Sequence, residues 1–200
     1  MTDRSVIKKV VPRKPEQNRD IRENRRKQIM VIALEMFADK GYSNSSIRSI
    51  SKKAGISKGL IYNYFSSKEE LLGCIVNEGM AEMFNLLDNN KDGELTRDEF
   101  IYFIKETFQL MKKDIFFWKL YFSLMMQPSV WKIFEEKFQD IITPYISMMT
   151  GYFKQKKVAD PETEAVLVGT LLDGIGFNYV FNPDGFPLDK VVDNLIKRFV

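Results

Sequence analysis

The residues able to do chemistry concentrate in two short stretches, and what the chain lacks is as informative. Its 200 residues contain no His and a single Cys, Cys74. That removes the commonest general base and metal ligand and rules out an internal disulfide. No pair of carboxylates stands at a spacing that suggests acid–base work, so the chain is not read as an enzyme. What remains are groups suited to binding. Residues 46–68 hold Ser, Arg, Lys, Tyr and Asn, and residues 88–99 are rich in oxygen ligands.

The first stretch reads Ser-Ile-Arg-Ser-Ile-Ser-Lys-Lys-Ala-Gly-Ile-Ser-Lys-Gly-Leu-Ile-Tyr-Asn-Tyr-Phe-Ser-Ser-Lys. Two short helices are expected around the turn Ala54-Gly55-Ile56-Ser57, with Gly55 permitting the bend and Ser57 capping the second helix. A second helix with exposed Tyr, Asn and Lys is suited to lie in the DNA major groove. Charge supports this. The chain's net charge is +3, but residues 1–68 carry 16 Lys and Arg against 6 Asp and Glu, and residues 69–200 carry 14 against 21. A basic first third on an acidic remainder points to a polyanionic partner.

The second stretch, Asp-Asn-Asn-Lys-Asp-Gly-Glu-Leu-Thr-Arg-Asp-Glu, fits a calcium loop of the EF-hand type. Asp88, Asn90 and Asp92 stand at loop positions 1, 3 and 5, and Gly93 at the sharp turn. The Glu94 carbonyl, Thr96 and Glu99 fall at 7, 9 and 12. The same letters have another reading. Thr96-Arg97-Asp98-Glu99 is a capping box, in which Glu99 turns back to the Thr96 amide and needs no metal. Calcium is therefore the cofactor to test, and none is required.

These stretches must be held by helices. Apolar residues recur at helical spacing from Asp20 to Lys40 (Ile29, Ile32, Ala33, Met36, Phe37), and Gly41 ends the run. Short helices to about Lys53 and over 58–65 follow, then one from Ser67 to about Leu87. Further helices are expected near 96–112, 115–127, 129–156, 162–181 and 188–199, with Pro144 kinking or splitting the third of these. No strand alternation appears, so the fold class is all-α. Three parts are expected: a basic arm (1–19), a helix-turn-helix head (20–68) and a helical body (69–200). The N-terminus has no apolar signal region and Ile115 to Met126 is too short for a membrane span, so a cytoplasmic protein with no membrane partner is expected.

At this level of detail the chain resembles the TetR family of transcriptional regulators. The resemblance rests on Phe37-Ala-Asp-Lys-Gly41-Tyr42, Ser46 to Ile50, Ala54-Gly55-Ile56-Ser57-Lys58-Gly59, Tyr62-Asn63-Tyr64-Phe65 and Lys68-Glu69-Glu70-Leu71. Ser51 replaces the family's usual Ala. The resemblance implies that Arg48, Ser57, Lys58, Gly59, Tyr62, Asn63, Tyr64 and Lys68 form the DNA contact surface. Arg48, Lys58 and Asn63 would read bases, and Tyr62, Tyr64 and Lys68 would clamp phosphates. Gly59 offers no side chain to the groove.

The body is crowded with aromatic and Met side chains, more than a small bundle needs. Phe122, Met125, Met126, Trp131 and Phe134 are expected to line a pocket for an apolar or aromatic small-molecule effector. Few basic residues lie between 115 and 131, which disfavours a strongly anionic ligand. The last two helices mix Gly169, Gly174 and Gly176 with branched aliphatics, and the resemblance implies that they form a homodimer. A twofold dimer predicts a palindromic operator in double-stranded DNA. The function expected is a ligand-released repressor. The alternative is a calcium-responsive regulator with the 88–99 loop as its input.

Overall fold

The computed structural model describes residues 15–88 and 90–200, apart from the side chains of 15, 136–138 and 141. Residues 1–14 of the expected basic arm lie outside the described residues. The described chain is all helix: α1 (Pro15–Lys40), α2 (Ile47–Lys53), α3 (Lys58–Tyr62), α4 (Lys68–Leu87), α5 (Arg97–Lys113), α6 (Ile115–Met125), α7 (Pro128–Gln155), α8 (Pro161–Phe181) and α9 (Leu188–Phe199).

Local sequence explains most boundaries. Ser46, Ser57, Ser67, Thr96, Asp114 and Asp160 each cap the helix that follows, their side-chain oxygens accepting an N–H three residues on. Gly41 and Gly55 take positive φ, +85° and +64°, where a Cβ would be strained. Helix α1 starts earlier than the apolar spacing predicts, at Pro15, which suits a helix's first turn. Pro144 does not split α7, which runs unbroken through it. Just before the proline, the Thr143 hydroxyl donates to the Gln139 carbonyl at 2.6 Å.

Two apolar clusters form the interior. The first joins α5, α6, α7, α8 and α9 around Phe100, Phe108, Trp118 and Phe153. The second holds α1, α2, α3 and α4 together through Phe37, Ile50, Ile61, Phe65 and Leu72, and it also takes in Leu124, Val130 and Phe134 from α6 and α7. The head therefore has no private core, because the body provides part of its floor. Helix α8 is, among the described residues, the one helix long and apolar enough by length and composition to cross a membrane. Here it packs against α5, α6, α7 and α9.

Candidate DNA interface and effector cavity

The helix-turn-helix is pinned from several sides. The last carbonyls of α1 have no partner within the helix and are met by side chains. Ser45 Oγ donates to Met36 and Gly41 at 3.1 and 3.0 Å, and Asn44 Nδ2 donates to Lys40 at 3.0 Å. Gln127 Nε2, arriving from the α6–α7 joint, donates to Phe37 at 2.7 Å. The Gln127 Oε1 also accepts the Tyr42 N–H at 2.7 Å. The Tyr42 hydroxyl donates to Glu69 at 3.1 Å, and burial together with that carboxylate pushes the phenol well above its usual range.

On the outer face Arg48, Ser57, Lys58, Gly59, Tyr62 and Asn63 are all exposed, and Tyr64 is half-buried. The Lys58 ammonium sits 5.6 Å from the Tyr62 ring centre. Arg22, from the N-terminal half of α1, stacks over Tyr64 at 5.3 Å and donates to the Asn63 carbonyl at 3.1 Å. Arg26 lies over Phe65 at 5.2 Å. The basic turns of α1 thus lie beside α3. Arg22 and Arg26 had no place among the expected contacts, and their one sequence signal was the run of Arg along residues 19–26. Asn63 is the C-cap of α3 rather than an interior residue of it.

Lys68 also braces the turn between α1 and α2. Its ammonium donates to the carbonyls of Tyr42 and Ser45 at 3.0 and 3.1 Å and lies 4.0 Å from the centre of the Tyr42 ring. An ammonium has three donors, so this grip on the α1–α2 turn leaves one for a phosphate.

In the body a cavity of about 780 Å³ opens between α4, α6, α7 and α8. Phe122, Met125, Met126 and Trp131 line it. Phe134 does not: it is 4% exposed and packs into the head-side cluster, because α7 turns that face toward α4 and α1. Trp118, Tyr121 and Phe177 complete the aromatic wall. Tyr121 donates to the Val76 carbonyl at 3.3 Å and presses on Gly79, where a Cβ would come within 2.5 Å of its ring. One ionisable acid, Asp173, also borders the cavity, and sequence reasoning missed it. Its signal was a lone acid inside the apolar run Leu171-Leu172-Asp173-Gly174-Ile175.

The calcium reading of 88–99 finds no support. Glu99 Oε2 accepts from both the amide and the hydroxyl of Thr96, at 2.9 and 2.7 Å, completing the capping box. Asp92 accepts from Asn90 and from the Glu94 amide, and Asp88 Oδ2 accepts from the Gly93 amide. The loop oxygens are thus turned onto local N–H groups. Asp88 Oδ1 is buried without a partner, but no three His, Cys, Asp or Glu converge among the described residues.

Comparison with known proteins agrees with this geometry. Residues 29–74 match the pattern of bacterial regulatory proteins of the tetR family. The uncharacterized HTH-type transcriptional regulator YvdT of Bacillus subtilis is 34% identical over 149 residues, covering 69% of this chain and 70% of YvdT. The fatty acid metabolism regulator protein of the same organism is 25% identical over 149 residues, covering 74% and 71%. Among solved structures, NalD of Pseudomonas aeruginosa, described as the secondary repressor of a multidrug efflux pump, superposes with a TM-score of 0.68. It is 18% identical and covers 89% of this chain and 95% of NalD, a likeness of fold. The head, its capped turns and the helical body together place this chain in the TetR family of DNA-binding transcriptional regulators.

Proposed function

We propose that the chain is a homodimeric repressor that binds a palindromic operator and is released when an apolar or aromatic effector enters the body cavity. The arm (1–19) and head (20–68) engage DNA, and the body (69–200) takes the effector and the second subunit, in the cytoplasm. Arg48, Lys58 and Asn63 read bases, Tyr62 and Tyr64 hold phosphates, and Lys68 adds its remaining donor to one.

The observation that carries this reading is the joint between α6 and α7. Met125, Met126 and Pro128 line the cavity, while Gln127, between them, bonds to Phe37 and Tyr42 of the head. A ligand that moves the cavity wall moves the head's anchor with it, so differential binding between two head positions becomes a change in operator affinity. Dimerisation is supported by α8, which exposes Val166, Leu167 and Phe181 beside the cavity.

The test is selection of bound sequences from a random DNA pool, followed by fluorescence polarisation on the recovered site. A palindromic motif, nanomolar affinity with a steep salt dependence, and a dimer by sedimentation are expected. A monomer at micromolar concentration, or a motif without twofold symmetry, sinks the dimer reading.

A further inference from the structure

Asp173 is the feature of the cavity that an apolar effector site does not require. It stands on α8 between two recesses. One is the main cavity. The other is a cleft between α7 and α8, bordered by Ile142, Ile146, Thr150 and Gly169 among others. By surface area Asp173 is exposed, yet the surface it shows borders these recesses. Dense protein around the carboxyl therefore still penalises its charge, and desolvation raises its pKa to about 6. Among the described residues it makes no hydrogen bond and no ion pair. Among the described residues the cavity lining contains no Lys or Arg to neutralise it. At neutral pH the described lining thus holds one carboxylate, with aromatic side chains around it and no counter-charge.

An unpaired carboxylate in a desolvated setting favours a ligand that brings the missing positive charge and repels one that brings a second negative charge. The walls suit the same ligand. Trp118, Tyr121, Phe122 and Phe177 supply aromatic rings, a residue type that attracts an alkylammonium electrostatically, and Met83 and Met125 adapt to its apolar body. Resting on the reading of this cavity as the effector site, we propose that the effector is a hydrophobic organic cation, a lipophilic amine or quaternary ammonium, with Asp173 as its counter-ion. A fatty carboxylate is disfavoured in the same place.

The experiment uses the full chain and three probes that share one alkyl chain: decyltrimethylammonium, decanol and decanoate, each below its aggregation limit at pH 7.5. Both Trp residues of the chain, Trp118 and Trp131, line the cavity, so intrinsic fluorescence reports occupancy. The ammonium is expected to bind about tenfold tighter than decanol, with decanoate weakest, since one partly screened charge pair is worth a factor of about that order. Asp173→Asn should bring the ammonium down to the affinity of decanol and leave decanol within about twofold. Lowering the pH from 7.5 to 5 should erase the ammonium's advantage, because the probe's own charge does not titrate. The other titratable lining group, Tyr121, stays neutral in that range, its phenol raised by burial. In the adjoining cleft Lys154 and Glu162 pair with each other at 3.2 Å. Equal affinity for all three probes, tighter binding of decanoate, or a cation preference that survives Asp173→Asn overturns the charge inference and leaves the cavity standing. If none of the three changes the fluorescence, the cavity is not an effector site and both readings fall.

Discussion

Gln127 donates to the carbonyl of Phe37 at 2.7 Å, so one side chain at the α6–α7 joint closes the end of the first helix of the DNA-binding head. The same amide accepts the Tyr42 N–H at 2.7 Å. Replacing Gln127 with Ala strands a part-buried carbonyl and a part-buried N–H. The expected loss is about 1–3 kcal/mol of stability, read from denaturant midpoints. The more telling expectation concerns signalling. Gln127→Ala should bind effector with unchanged affinity but transmit less of it, so that saturating effector lowers operator affinity by a smaller factor than in the parent protein. Full transmission in the variant would mean that the signal travels elsewhere.

Lys58 and Lys68 should separate cleanly in DNA titrations. Lys58 is exposed with its ammonium near Tyr62, whereas Lys68 is engaged with the Tyr42 and Ser45 carbonyls. Lys58→Ala should leave stability within about 0.5 kcal/mol. It should weaken binding to the recovered operator by about 1–3 kcal/mol and relax selectivity against unrelated DNA, as expected of a side chain that reads a base. Lys68→Ala should cost about 1–2 kcal/mol of stability through the loosened turn. An unchanged melting temperature for Lys68→Ala would show that the two carbonyl bonds contribute little.

Gly79 sets two effects of opposite sign against each other. In a helix interior Ala is favoured over Gly by about 1 kcal/mol. Here the added Cβ would lie 2.5 Å from the Tyr121 ring, whose neighbours Trp118, Phe117 and Phe122 give it little room to retreat. Overpacking of this kind costs about 1–3 kcal/mol, so Gly79→Ala is expected to destabilise on balance. Because Tyr121 is a cavity wall, the variant should also bind effector more weakly. A rise in melting temperature would show that the ring yields freely.

Asp173 gives a pH signature in stability independent of any ligand. Its folded pKa, about 6, lies above the usual 3.8, so between these values the folded chain holds more of this proton than the unfolded chain. Stability from this group is present in full below about pH 4 and is lost as pH rises through 6. Asp173→Asn should therefore raise the melting temperature at pH 7.5 and give no gain at pH 4. The accessible surface of Asp173 screens its charge, so the neutral-pH gain is expected to be on the order of 1 kcal/mol. An equal gain at both pH values would assign the effect to packing instead.

The features legible in the sequence are those decided by neighbours in the chain. Ser57 and Ser67 announce their helices because a cap acts over three residues, and Gly41 and Gly55 mark turns that need positive φ. The cavity was half legible. Phe122 and Met125 follow helical spacing, but spacing alone does not tell which of two clusters a ring joins, and Phe134 went to the other one. Gln127 and Asp173 act across 90 residues of separation or into a space that exists only once four helices meet, and such roles leave little trace in local pattern. Thr96 and Glu99 satisfied two patterns at once. The amide three residues away is available wherever the helix starts, so the cap is what the folded loop displays.

The shared floor beneath the head has a consequence for recombination. Leu124, Val130 and Phe134 fill the cluster that α1 to α4 enclose. A reading head grafted from another regulator at residue 68 would land on side chains shaped for a different underside, and the graft would be left with gaps or clashes where those three insert. Trading operator specificity between such proteins thus means moving the facing patch of α6 and α7 along with the head. The unit of exchange is a discontinuous surface, not a contiguous cassette of sequence.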